Sequence, residues 1–182
     1  MKQVDKLALL DWDKYKEEIA RATPVDKSMT TAERERHRLY LEKHPIEWIK
    51  FFFPNYAKYE FADFQKKAIR RIISHDEWFE VLSWSRELAK STITMFIVMF
   101  LTLTGRKKNV ILTSNSKDNA MRLLAPYRAN LEANGRIIAY YGKQEMPGSW
   151  TEDEFVTKGK VSFRALGAGQ SPRGSRNEAI RP

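Results

Sequence analysis

The chain of 182 residues contains no cysteine. That excludes disulfides, thiolate catalysis and cysteine-based zinc sites, and it gives no sign of secretion. Histidine is scarce: His37, His44 and His75 lie far apart and lack metal-ligand spacing. Long apolar runs are missing as well. The longest, Ile93 to Leu103, is interrupted by threonine and too short to span a bilayer. The opening stretch MKQVDKLALLDWDKYKEEIA is charged throughout, which is wrong for a signal peptide. From these absences we expect a soluble, cytoplasmic protein without a membrane partner.

Positive charge is abundant. Lys and Arg number 32 against 23 acidic residues, a net charge of +9, with 42% hydrophobic and 30% charged residues. The balance of apolar and charged residues fits a folded domain, and the surplus favours a polyanionic partner without identifying it.

Residues 1–58 read as a helical N-terminal region. Leu7, Leu10, Tyr15 and Ile19 recur at helical spacing before TPVDKS breaks the pattern. MTTAERERHRLYLEKH predicts a second helix with Thr30 or Thr31 as its cap, and Pro45 opens a third, PIEWIKFFF, whose Trp48, Phe51 and Phe52 face a core. From residue 59 the texture changes to an α/β pattern. FADFQKKAIRRIIS predicts a helix, EWFEVLSWS a strand, KSTITMFIVMFLTLTG a buried helix stopped by Gly105, and KNVILTSN a second strand. A helix capped by Ser116 follows, kinked by Pro126 and closed at Asn134-Gly135. RIIAYYG reads as a third strand or extended segment, and EDEFVTKGKVSFRALGAG as a β-hairpin around Lys158-Gly159. The alternation from 79 to 141 predicts a three-layer α/β domain with parallel strands.

The stretch WSRELAKST, residues 84–92, sits between a predicted strand and a predicted helix. That is where a phosphate loop belongs: backbone N–H groups and a helix N-terminus face the phosphates, a lysine reaches the β- and γ-phosphates, and the next hydroxyl binds Mg²⁺. The usual string G-x-x-x-x-G-K-[ST] fails here, because Trp84 and Ala89 replace both glycines. Alanine is compatible where φ is negative, and Arg86 offers a fork for phosphate oxygens. Glu87 is discordant, since a carboxylate repels phosphate unless it points away. On the residues alone, a phosphate loop and an ordinary strand-to-helix turn both stay open. Lys90 is either a phosphate ligand or a solvent-facing lysine, although a cation at a helix N-terminus is unfavourable without an anion. Ser91 is either the Mg²⁺ ligand or a cap, and Thr92 fits helix packing. Trp84 fits core packing better than base stacking. The basic runs KKAIRR and GRKKN suit either a duplex backbone or a solvated face.

SRELAKST resembles the deviant Walker A loop of the large terminase subunits of tailed bacteriophages, the ATP-driven DNA-packaging motors. FADFQKKAI is similar to the upstream glutamine motif of that family, VILTSNSKDNAMRLL to its second strand and helix, and GKVSFRALGAGQSPRGSRNEAIRP to the lead-in to its Walker B strand. The resemblance covers about residues 60–182 and implies a P-loop NTPase core of the ASCE type, incomplete at its C-terminus. It implies ATP and Mg²⁺ as cofactors, and a nucleotide-binding set of Gln65 (at the adenine), Ser85, Arg86, Glu87, Leu88, Ala89, Lys90, Ser91 and Thr92. Ser91 is then the metal ligand. Arg86 and Arg173 become the catalytic candidates, and Arg173-Gly174 either a turn near the γ-phosphate or an arginine aimed at a neighbouring subunit.

The partners implied are double-stranded DNA without sequence preference, a portal or procapsid, a small terminase subunit and further copies in a homo-oligomeric ring, in the host cytoplasm. The resemblance also implies that the acidic Walker B strand and the nuclease domain of the family lie beyond Pro182, so that this chain alone is expected to hydrolyse little or no ATP, and that the missing strand leaves an unpaired sheet edge. Two rival readings are a helicase-like translocase on the same core and a non-catalytic DNA- or portal-binding module in which the loop is only a turn.

Overall fold

In the computed structural model the described residues are 3–171, with side chains from residue 11 onward. They form seven helices and four strands: α1 (Gln3–Ala22), α2 (Thr31–Lys43), α3 (Pro45–Phe52), α4 (Asp63–Ile73), α5 (Lys90–Leu103), β1 (Asn109–Ser114), α6 (Lys117–Ala133), α7 (Gly135–Tyr141), β2 (Glu145–Trp150), β3 (Glu154–Thr157) and β4 (Ser162–Gly167). Among them no helix is long and apolar enough to cross a membrane.

Local chemistry explains most boundaries. The Thr30 hydroxyl accepts from the Glu33 N–H while the Glu33 carboxylate accepts from the Thr30 N–H, a reciprocal cap for α2. Pro45 stands at the start of α3, where its missing N–H costs nothing. The Ser116 hydroxyl accepts from the Asn119 N–H and opens α6, which carries Pro126 inside it. The expected turn at Asn134-Gly135 is present, but it joins two helices: the Asn134 side chain accepts from the Ile137 N–H and starts α7. RIIAYYG is therefore a helix and not the third strand expected, and its Ile137 is fully buried.

The sheet has the order β1-β4-β3-β2. β1 and β4 run parallel, with Asn109 opposite Ser162 and Ser114 opposite Gly167. β3 is antiparallel to both β4 and β2, so the sheet is mixed and open rather than parallel throughout. The expected hairpin is β3–β4. The other predicted strand, over EWFEVLSWS, is absent as a strand: residues 78–85 lie outside any helix or ladder, although their exposure alternates from Glu80 to Trp84. A strand is defined by its neighbour's hydrogen bonds, and no described strand lies beside this segment.

One core joins the helices of the first 58 residues to the rest. Trp48 and Phe52 on α3 are fully buried, and the Trp48 ring meets Phe100 of α5 edge-on at 5.1 Å, while its indole N–H donates to the Tyr141 hydroxyl at 2.9 Å. Burying a side chain such as Phe52 contributes about 2–3 kcal/mol. α5 is apolar nearly all round and buried along most of its length, which fixes the position of its N-terminus at Lys90.

Candidate functional site

The loop from Trp84 to Lys90 is held from three sides. The Trp84 ring packs edge-on against Phe64 of α4 at 4.9 Å. The Gln65 side-chain amide donates to the Leu88 carbonyl at 3.2 Å, while its oxygen accepts from the Ala62 N–H at 3.0 Å. The Lys90 ammonium folds back and donates to the carbonyls of Trp84 and Ser85, at 2.5 and 2.8 Å.

The backbone conformation is unusual. Glu87 has φ 68° and Ala89 φ 57°, two of only three non-glycine residues with positive φ among those described. The left-handed region costs an L-residue about 1–2 kcal/mol. The expectation that alanine stands here because φ is negative is thus wrong: Ala89 occupies the conformation that glycine usually supplies. Arg86, Leu88 and Lys90 are not among the positive-φ residues, so handedness alternates along the loop. Such alternation turns successive N–H groups toward a common concavity, the geometry of an anion nest. Ala89 is also the N-cap of α5 and supplies no side-chain cap, and the first turn of α5 holds no acidic residue. The orphan N–H groups of that turn and the positive end of the helix dipole stay available.

Two cavities flank the loop. The outer one, about 550 Å³, is lined by Arg86, Glu87, Ala89, Lys90, Ser91 and Thr92. Arg86 and Glu87 are both exposed there, and among the described residues neither forms an ion pair, so Glu87 remains a carboxylate on the same cavity as the candidate phosphate ligands. Ser91 is exposed and its hydroxyl has no partner among the described residues. The inner cavity, about 450 Å³, lies between Glu80 and Leu82 on one side, Leu112 and Thr113 of β1 on the other, and the first turns of α5. Lys90 and Ser91 border both cavities.

The structure thus brings together Gln65 and the run from Ser85 to Thr92. Gln65 reaches the loop from behind, with its amide engaged by Leu88 and Ala62. Arg173 and Gly174 lie outside the described residues.

Two features carried no recognisable sequence signal. Arg122 on α6 lines the inner cavity, exposed and without an ion pair among the described residues. Glu80, also on that cavity, accepts from the Arg71 guanidinium at 2.9 Å and from the Trp78 indole N–H at 2.7 Å. Those two bonds, Arg71 first, hold its carboxyl below the usual glutamate range. The carboxylate is therefore already neutralised by a neighbour, and the cavity keeps Lys90 and Arg122 as its uncompensated charges.

For ATP the donors present are the uncapped N–H groups of α5, Lys90, Arg86 and the Ser91 hydroxyl, with the Glu87 carboxylate opposing them on the same cavity. For Mg²⁺, Ser91 offers one oxygen. Among the described residues no group of three His, Asp or Glu side chains forms a metal site, and Mg²⁺ at phosphates commonly takes one or two protein oxygens and keeps waters for the rest. Comparison with protein-family models, with curated proteins and with solved structures found no match to this chain.

Proposed function

We propose that this chain is the nucleotide-binding part of an ATP-driven nucleic-acid motor with a P-loop core, of the terminase large-subunit type. The observation that carries the reading is the loop itself: left-handed backbone at Glu87 and Ala89, an N-terminus of α5 without a side-chain cap, and Lys90 and Ser91 following at once. Strained non-glycine backbone persists where its surroundings over-determine it, commonly at ligand sites, and the uncapped first turn of α5, exposed at Ser91, leaves its N–H groups open to an anion.

In this reading the N–H groups of the loop and Lys90 bind the β- and γ-phosphates. Lys90 exchanges its two carbonyl partners for phosphate oxygens, Arg86 clamps from the outer cavity, and Ser91 supplies an oxygen to Mg²⁺. Gln65 acts as a positioning residue that holds Leu88. Bound Mg²⁺ would neutralise charge on the phosphates.

A second observation supports an ATPase sheet that is completed by more chain. Glu80 and Leu82 of the extended segment line the same inner cavity as Leu112 and Thr113 of β1, and among the described residues no strand pairs with that segment or with the outer edge of β1. Phe79 and Val81, 87% and 67% exposed, alternate with the cavity-lining Glu80 and Leu82, the two-residue period of a strand that lacks its neighbours. A strand inserted there would pair both edges, and it is the place we assign to the acidic strand that supplies the hydrolytic carboxylate.

The test is titration of the whole chain with a non-hydrolysable ATP analogue and Mg²⁺, alongside Lys90→Ala. Loss of one charge-assisted phosphate contact of about 3 kcal/mol weakens binding roughly 100-fold. Equal binding by both proteins overturns the assignment.

A further inference from the structure

A second cationic site lies at the other end of α5. Three turns meet there: 104–108 between α5 and β1, 142–144 between α7 and β2, and 158–161 between β3 and β4. They line a hollow of about 420 Å³ whose walls include Lys108, Lys143, Lys158 and Gly159. Backbone hydrogen bonds lace the turns together. The Lys158 N–H donates to the Gln144 carbonyl at 2.9 Å and the Ser162 N–H to the Lys108 carbonyl at 2.9 Å. The Lys108 ammonium adds a bond to the Gly159 carbonyl at 2.9 Å. Lys160 takes the left-handed turn position, with φ 60°, and its N–H donates to the Thr157 carbonyl at 2.8 Å.

Lys143 and Lys158 are exposed and form no ion pair among the described residues. Arg106 and Lys107 on the first turn point elsewhere: Arg106 pairs with Asp76 and donates to the Ile73 carbonyl, and the Lys107 ammonium donates to the Asp76 carbonyl. The polar groups able to read anything other than charge are engaged internally. The Gln144 amide donates to the carbonyls of Tyr141 and Gly142, both at 3.0 Å. The Thr102 hydroxyl donates to the Val98 carbonyl at 2.8 Å. The Tyr141 hydroxyl donates to Glu42 and accepts from Trp48, both at 2.9 Å, so this ring is tied into the core rather than free to stack on a base. What remains is a rigid platform of lysines with neither base-reading nor stacking groups, which is the chemistry of phosphate-backbone contact.

We infer that this platform holds the backbone of a duplex nucleic acid without reading its sequence. It rests on the motor reading only for the choice of a duplex as the polyanion. The site is separate from the nucleotide loop by the length of α5, about 20 Å at 1.5 Å per residue, so the two functions can be lost independently.

The experiment measures binding of the full chain to a labelled random-sequence 30-base-pair duplex across a KCl series. It compares the wild type, Lys143→Gln/Lys158→Gln and a charge-matched control on α1 and α2, Lys14→Gln/Lys43→Gln, two exposed lysines without an ion pair among the described residues. The platform variant is expected to bind about tenfold or more weaker, with the slope of log K against log salt reduced by about 2, because two phosphate contacts each contribute about 0.9. Its affinity for the ATP analogue stays unchanged, whereas Lys90→Ala shows the reverse pattern. Unchanged duplex affinity and slope in the platform variant overturn the inference. So does an equal loss in the control on α1 and α2, which would mean diffuse charge, or full competition by inorganic triphosphate at micromolar concentration, which would mean a small phosphate ligand.

Discussion

The turn from Trp84 to Lys90 and the turn from Ser114 to Lys117 both deliver an extended segment into the first turn of a helix, yet they treat the helix end in opposite ways. At α6 the protein closes the end with its own atoms: the Ser116 hydroxyl accepts from Asn119, Asp118 sits in the first turn, and the end of β4 presses against it at Gly167. At α5 the cap residue is Ala89, no acid occupies the first turn, two loop residues take left-handed φ, and a cation follows directly. A self-satisfied helix end has no need of a ligand. An uncapped one beside a lysine is a helix end arranged for an anion from outside. The comparison makes the loop meaningful without a single glycine in it.

The largest expected effect is the roughly 100-fold loss of analogue affinity in Lys90→Ala. Its counterpart at the other turn, Lys117→Ala, should leave analogue affinity unchanged in the same titration, because Lys117 is paired with Asp153 at 2.6 Å. Comparable losses from both substitutions would erase the distinction between the turns.

Next comes Gly167→Ala. A Cβ at this position would stand 2.5 Å from the Lys117 nitrogen and 2.9 Å from the Ser116 carbonyl carbon, all backbone, so β4 or α6 has to shift. We expect a loss of about 2–3 kcal/mol, read as a fall in Tm of roughly 5–10 °C, with analogue affinity retained. A neutral outcome would show that the close approach at the α6 turn is not the constraint described. Smaller again is Ser116→Ala, which removes a cap worth about 1 kcal/mol and lowers Tm by roughly 3 °C.

Much of this contrast is legible in the sequence, and the rest fails for identifiable reasons. Ser116 and Thr30 were readable because a side-chain cap acts locally, within three residues of itself. The strand expected at residues 79–84 has the right alternation, with Glu80, Leu82 and Trp84 less exposed than Val81 and Ser83, but pairing is a property of two segments and the described chain supplies only one. RIIAYYG is rich in strand formers, and its helical state is decided by the Asn134 cap and by burial of Ile137 against the core, a tertiary effect that overrides propensity. β2 was missed because EMPGSW carries Pro147 and Gly148; it lies at the sheet edge, where a proline is tolerated, and its pairing slips between Glu145 and Trp150. The candidate site was legible as a run of residues. Its backbone handedness, the hold of Gln65 on Leu88, and Arg122 were not, since each depends on where distant elements come to rest.

Ala89→Gly gives the smallest effect and the one whose sign separates the two turns. Releasing an alanine from φ 57° recovers about 1–2 kcal/mol of left-handed strain. The same change frees the unfolded chain, which costs about 0.4–1 kcal/mol. The balance is a stabilisation of about 0.5 kcal/mol, a rise in Tm of roughly 1–2 °C. Glycine keeps the left-handed conformation accessible, so analogue affinity in the variant should stay within about twofold of the wild type. At the α6 turn Ser116→Ala takes away the acceptor of the Asn119 N–H and lowers stability. At the α5 turn the Ala89 side chain contributes nothing to the cap, and removing its methyl group raises stability. If Ala89→Gly instead destabilised the protein, the methyl would be packing rather than tolerated, and the loop would be a structural turn of the same kind as the one before α6.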